Sequence, residues 1–255
     1  PNAGEGLRFY LLPDIGRAKE YGIWEIIFAA MSQAFFTLSI GIGSLAIFGS
    51  YIEKDRSLFG ESINIAMLDT AISIIAGLII FPACFSFNVD PGEGPGLVFV
   101  TLPNIFNSMA GGRIWGSLFF IFMTFAAYST VIAVFENIMS FEMDLWGWSR
   151  KKAAVINIIL IIVLSMPCVL GFNVLKHIQP LGEGSGILDL EDFILSYSLL
   201  PLGSLIYLLF CVSRYGWGFD NYIEEVNTGK GIKMPRGLRG YLTWVLPAVI
   251  IIVLI

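Results

Sequence analysis

Apolar residues fill six stretches of this chain, about 24–52, 62–87, 113–142, 151–174, 190–213 and 240–255, and most charged residues cluster between them. An α-helix rises 1.5 Å per residue, so roughly 20 apolar residues cross the ~30 Å hydrocarbon core of a bilayer. The first five stretches reach that length, and the sixth is cut short at Ile255. A helix satisfies its backbone groups internally, as lipid demands, so the pattern predicts an all-α membrane protein. Two connecting segments carry structure of their own. "VFVTLPNIFNSMAGG" (98–112) is too apolar for a solvated linker, and its Pro103 and Gly111-Gly112 predict two short helical pieces. "NYIEEVNTGKGIKMP" (221–235) predicts a short helix ended by Gly229, with Pro235 beyond.

Basic residues orient the spans, because cytoplasmic loops are enriched in Lys and Arg. Arg150, Lys151 and Lys152 mark one cytoplasmic connection, and Lys230, Lys233, Arg236 and Arg239 mark another. The 88–112 loop holds Asp90 and Glu93 without Lys or Arg, the 175–189 loop is mainly acidic, and both should face outward. The alternation is self-consistent and starts the first span outside. Composition agrees: 56% of residues are hydrophobic and 14% charged, against about 25% charged in soluble domains. Nothing suggests nucleic-acid binding. The chain begins at Pro1 and stops inside an apolar run, which reads as a piece of a longer protein. Cys84, Cys168 and Cys211 lie in apolar segments without metal-ligand spacing, and His177 sits at a segment end beside Lys176.

Polar groups at membrane depth carry the candidate chemistry. Residues 26–52 are free of charge, yet "FFTLSIGIGS" (35–44) places Gly41, Gly43, Thr37, Ser39 and Ser44 near the middle of that run. Glycine costs roughly 1 kcal/mol in a helix interior relative to alanine, and an unpaired backbone group in hydrocarbon costs several. Two readings stay open. The helix breaks there and offers backbone atoms to an ion or polar substrate, or the small residues let neighbouring helices approach. Asp69 is the one charge between Ser62 and Val89, and a buried acid in a span is a functional candidate. Ser73 lies one turn beyond it, as Thr37 lies one turn beyond Gln33. Such oxygens suit a hard cation. Ser129 and Thr130 are adjacent hydroxyls that could instead bond back to the preceding turn. Glu136 has no obvious partner in the sequence.

The stretches "SQAFFTLSIGIGSLAIFGSYI", "VFVTLPNIFNSMAGG", "TFAAYSTVIAVFENIMSFEMD" and "GWGFDNYIEEVNTGKGIKMPR" resemble the second half of the neurotransmitter:sodium symporter family, in particular its bacterial amino-acid transporters. The resemblance covers nearly the whole chain. It implies the second inverted repeat of the leucine-transporter-type fold, family helices six to ten, plus the start of helix eleven. An N-terminal half holding the first five helices is then missing. It also implies a multi-pass protein of the cytoplasmic membrane, not an enzyme, that couples uptake of an amino acid to sodium by alternating access. The family's sixth helix is unwound at its centre, here near residues 39–43.

Roles follow residue by residue from the resemblance. Phe36 matches the aromatic that closes over substrate from outside. Thr37, Ser39, Gly41, Ile42, Thr130 and Val134 match substrate-pocket positions. Thr37 and Asp69 match one sodium site; the Ala126 carbonyl with the Ser129 and Thr130 hydroxyls matches a second. Asp192 matches the acidic half of an outer gate, and Tyr51 and Asp144 match the inner gate, whose arginine partners belong to the missing half. Chloride-dependent members hold the anion near positions matching Gln33, Thr37, Asp69 and Ser73. Asp69 brings its own negative charge there, so two sodium ions and no chloride are expected. Ile42 and Val134 form an apolar wall suited to a neutral, hydrophobic amino acid. A receptor of the same fold that binds an amino acid without transporting it is the alternative. An intramembrane enzyme is disfavoured by the absence of paired carboxylates, of HExxH and of a serine with a plausible base.

Overall fold

The structure, a computed structural model, describes residues 2–87 and 97–254. Helices run in the order α1 (Ala3–Leu11), α2 (Ile15–Tyr21), α3 (Ile23–Thr37), α4 (Ser44–Tyr51), α5 (Leu58–Ser86), α6 (Leu102–Ser108), α7 (Gly112–Trp146), α8 (Arg150–Gly171), α9 (Ile187–Ile194), α10 (Leu200–Val212), α11 (Phe219–Val226) and α12 (Leu246–Leu254). Wide π-turns lead into α6, α10 and α12 at Leu97–Thr101, Leu195–Leu199 and Tyr241–Val245. Among the described residues, five continuous helical stretches are long and apolar enough to cross a membrane: Leu58–Ser86, Gly112–Trp146, Arg150–Gly171, Ile187–Val212 and Arg236–Leu254. Most of their side chains are at least partly exposed; on α8, Ile158, Ile162 and Leu164 are all exposed.

Helix limits follow caps rather than the edges of charge-free runs. Ser57 precedes α5, accepts the Gly60 amide at 3.5 Å on its hydroxyl, and accepts the Glu61 amide at 3.0 Å on its carbonyl. The helix thus starts before the apolar stretch does. Ser149 caps α8 by accepting the Lys152 amide at 3.4 Å. The segment at 98–112 forms one helical piece, Leu97–Ser108, and not two. Pro103 lies inside that piece, directly after the π-turn, and its missing N–H removes one helical hydrogen bond there. The part of the outward loop at 88–96, with Asp90 and Glu93, lies outside the described residues.

The chain divides into two compact units: residues 1–23 with 65–131, and residues 24–64 with 132–255. In the first, Phe9 and Tyr10 of α1 pack on Phe81 of α5 at ring separations of 5.7 and 4.8 Å. Phe106 of α6 meets Phe119 of α7 at 5.6 Å. In the second, Val212, Phe219, Ile223, Val226 and Met234 form a buried cluster where α10 turns into α11.

A clasp closes below that cluster. The turn after α11 pairs with the link between α4 and α5 through a parallel bridge at Arg56 and Lys230. The Lys230 amide donates to the Asp55 carbonyl at 2.7 Å, and the Ser57 amide to the Lys230 carbonyl at 2.9 Å. The buried Ser57 hydroxyl adds contacts to the Ile232 carbonyl at 2.7 Å and the Val226 carbonyl at 3.2 Å. Asn227 braces the turn, accepting the Met234 amide at 2.6 Å and donating to the Met234 carbonyl at 3.0 Å.

Candidate functional site

The first apolar stretch is two helices. The backbone leaves α3 after Thr37, and α4 begins at Ser44. Ser39, Gly41 and Gly43 take left-handed φ values of 50°, 90° and 92°, which an α-helix cannot accommodate. Glycine adopts this region readily, whereas Ser39 does so at a steric cost. Ser39 is the one non-glycine residue with positive φ among the described residues. The last amides of α3 close on themselves: Leu38 donates to Ala34, Ser39 to Phe36 and Ile40 to Phe35. Among the described residues nothing donates to the backbone carbonyls of residues 37–41. At membrane depth such oxygens need a partner other than lipid.

The break in the helix and the close approach of a neighbouring helix coincide at these glycines. The helix is broken, and the break is also a close contact. A Cβ on Gly41 would collide with the Leu200 carbonyl and sit 2.8 Å from the Ser204 nitrogen on α10. In return, a Cβ on Gly203 would collide with the Gly41 carbonyl. At the start of α4, the place of a Gly43 Cβ is hemmed in by the Tyr207 hydroxyl at 2.5 Å and the Asn137 amide nitrogen at 2.9 Å. That same Asn137 amide donates to the Ile42 carbonyl at 2.9 Å. Ser32 and Ser44 bury their hydroxyls without a partner among the described residues.

The far end of α4 enters an ionic knot. The Tyr51 hydroxyl donates to Glu136 Oε1 at 2.8 Å. Arg150 grips the same carboxylate with both guanidinium nitrogens, Nη1 to Oε1 at 2.9 Å and Nη2 to Oε2 at 2.6 Å. This fork geometry is the strong form of an ion pair, and it explains how Glu136 tolerates being only 8% exposed. Glu142 is likewise buried, and Asn157 of α8 donates to it at 2.6 Å.

The sequence-derived positions divide between the units. Asp69, Ser73, Ala126, Ser129 and Thr130 lie in the first. Ser129 and Thr130 both donate to the Ala126 carbonyl, at 2.7 and 3.4 Å, so three neutral oxygens gather on one turn of α7. That donor set fits a hard cation such as sodium. Asp69 and Ser73 follow each other on α5, and Asp69 has no hydrogen bond or ion pair among the described residues. Gln33, Phe36, Thr37, Ser39, Gly41, Ile42, Tyr51, Val134, Asp144 and Asp192 lie in the second unit. Gln33, Phe36 and Thr37 end α3, and Val134 sits on α7. Asp192 on α9 accepts from Ser196 at 3.0 Å. Asp144 is exposed near the end of α7, while Tyr51 is engaged by Glu136. Asn137, Asn157 and Tyr207 were not singled out from the sequence, and Arg150 was read only as the mark of a cytoplasmic connection. The adjacent pair Glu136-Asn137 inside an apolar helix was the available signal.

A sequence profile of the Sodium:neurotransmitter symporter family matches residues 1–255. The chain belongs to this family. An uncharacterized sodium-dependent transporter of Haemophilus influenzae is 29% identical over 100% of this chain and 54% of its own length. YhdH, an uncharacterized sodium-dependent transporter of Bacillus subtilis, is 30% identical over 98% of this chain and 54% of its own length. The crystal structure of MhsT in complex with L-phenylalanine matches with a TM-score of 0.85 at 40% identity, over 98% of this chain and 55% of MhsT. This symporter-family chain thus spans about half the length of the relatives it matches. Its fold is the all-α, leucine-transporter type, it is a multi-pass protein of the cell membrane, and its relatives are transporters rather than enzymes.

Proposed function

We propose that this chain serves in sodium-coupled symport of a neutral, hydrophobic amino acid by alternating access, together with an N-terminal half like that of its relatives. The observation that carries the reading is the row of carbonyls at residues 37–41, without a donor among the described residues, in the middle of an apolar stretch. An amino acid's ammonium group has three N–H donors for such oxygens, while the Gly41 carbonyl faces Gly203 of α10. Ser39, Gly41 and Ile42 contact the cargo, with Thr130 and Val134 adding further pocket surface and Phe36 closing from outside. The phenylalanine in MhsT supports an apolar side chain beside Ile42 and Val134.

Two sodium ions accompany the cargo. Thr37 and Asp69 contribute oxygens to one, while Ala126, Ser129 and Thr130 hold the other. Gln33, Asp69 and Ser73 make the region where chloride would otherwise be required, and the Asp69 carboxylate replaces it. Unit charges 4 Å apart attract by roughly 4 kcal/mol at an effective dielectric of 20, enough to dispense with a separate anion. Asp192 belongs to the outer gate. Tyr51 and Asp144 belong to the inner one, which the Glu136–Arg150 pair helps to close. Cargo and sodium drive the cycle only through their differing affinity for the outward and inward states.

The test is radiolabelled amino-acid flux into proteoliposomes containing the full-length protein, under a sodium gradient, with gluconate in place of chloride. Sodium-dependent uptake that survives the exchange supports both the symport and the chloride-independent reading. Binding without flux would favour the receptor reading. Uptake that stops without chloride would remove the role given to Asp69.

A further inference from the structure

Among the described residues, only one carbonyl in the unwound region has a side-chain donor. Residues 37–41 have no donor to theirs among the described residues, and the next, on Ile42, accepts from Asn137 at 2.9 Å. Gly43 then closes α4, accepting the Ile47 amide at 3.0 Å. The Asn137 amide therefore marks the boundary between carbonyls without a donor among the described residues and backbone committed to helix. Its position is tightly set. Asn137 Nδ2 and Oδ1 stand 2.9 and 3.0 Å from the place of a Gly43 Cβ, and the Tyr207 hydroxyl of α10 stands 2.5 Å from it. Asn137 also follows Glu136, whose carboxylate holds Tyr51 at the other end of α4. Adjacent residues of α7 thus fasten both ends of the half-helix.

We propose that Asn137 is a positioning residue for transport: by holding the Ile42 carbonyl it fixes where α4 begins, and with it the orientation of the Ile42 side chain and of the carbonyls before it. This rests on the symport reading. The role needs an N–H donor of amide size. Asn137→Asp keeps the size and loses the donor while ionised, and regains one when protonated. The nearby ionisable groups, Glu136 with its Arg150 and Tyr51 partners and Tyr207 of α10, are the same in both proteins, so the ratio of variant to wild type isolates the substituted side chain.

The experiment measures sodium-dependent binding of radiolabelled phenylalanine and leucine to the purified full-length transporter from pH 8 to pH 5.5, for wild type, Asn137→Asp and Asn137→Ala. The expected result is about a tenfold loss of affinity for both variants at pH 8, in the range of an unsatisfied buried carbonyl. For Asn137→Asp the ratio to wild type recovers as pH falls; for Asn137→Ala it does not. Wild-type affinity in Asn137→Ala, or an Asn137→Asp deficit equal at both pH values, overturns the proposal; wild-type affinity in Asn137→Asp beside a deficit in Asn137→Ala supports it, since a protonated carboxyl donates. Wild type that binds neither amino acid and carries none would instead sink the symport reading.

Discussion

Gly203 of α10 lies so close to Gly41 in the unwound stretch that a methyl group on it would run into the Gly41 carbonyl. The contact is backbone against backbone, so no side-chain rotation can relieve it. Gly203→Ala is expected to push residues 39–43 off α10, costing about 1–3 kcal/mol of stability as overpacking does. Thermal unfolding of the detergent-solubilised full-length protein checks this, with substrate affinity falling alongside. Gly203→Ala at wild-type stability would show that α10 yields freely there.

Breaking the Glu136 knot should favour the inward-open state. Glu136→Gln keeps the shape but removes the charge that Arg150 grips with two nitrogens. The inner closure weakens, and a cysteine introduced beside Tyr51 should react several-fold faster with a membrane-impermeant thiol reagent added from the cytoplasmic side. Unchanged labelling would mean that Glu136 plays no part in closure.

Asp69→Asn is expected to impose a chloride requirement on sodium-driven uptake or to abolish uptake. The variant retains an oxygen ligand but lacks the charge. Uptake equal to wild type in gluconate would rule out the carboxylate as chloride's replacement.

Tyr222 supplies a pH test outside the membrane spans. Burial among the residues joining α10 and α11 pushes its hydroxyl up from its ordinary value, with Cys211 adding to the effect. The folded protein thus holds that proton more tightly than the unfolded chain. Its contribution is complete below about pH 10, the ordinary tyrosine value, and is lost as pH rises towards the higher folded value. Tyr222→Phe should therefore lose less stability than wild type between pH 9 and 11, measured by thermal unfolding at each pH.

Much of the fold was legible because lipid leaves few choices: an apolar run must be helical, and its polar exceptions must have partners. The interruption after Thr37 was visible as two glycines amid hydroxyls, although spacing alone could not separate a break from close packing. The structure combines them, since Gly41 turns the chain and also lets α10 approach. The partners of Glu136 were not legible. Tyr51 and Arg150 lie 85 and 14 residues away, and pairings across helices depend on rotation and bend, which hydropathy does not encode. Asn137 escaped notice for a related reason: its task is to serve a carbonyl, and carbonyls have no letter in a sequence.

The clasp between Lys230 and the link at Asp55 and Ser57 gives the lower half-helix a handle. A backbone bridge is stiff, so any swing of α4 must drag the turn after α11 with it. That tongue is the pointer of a gauge whose bearing lies deep in the lipid. A dye placed on its exposed Ile232 would report any movement of α4 that the bridge transmits.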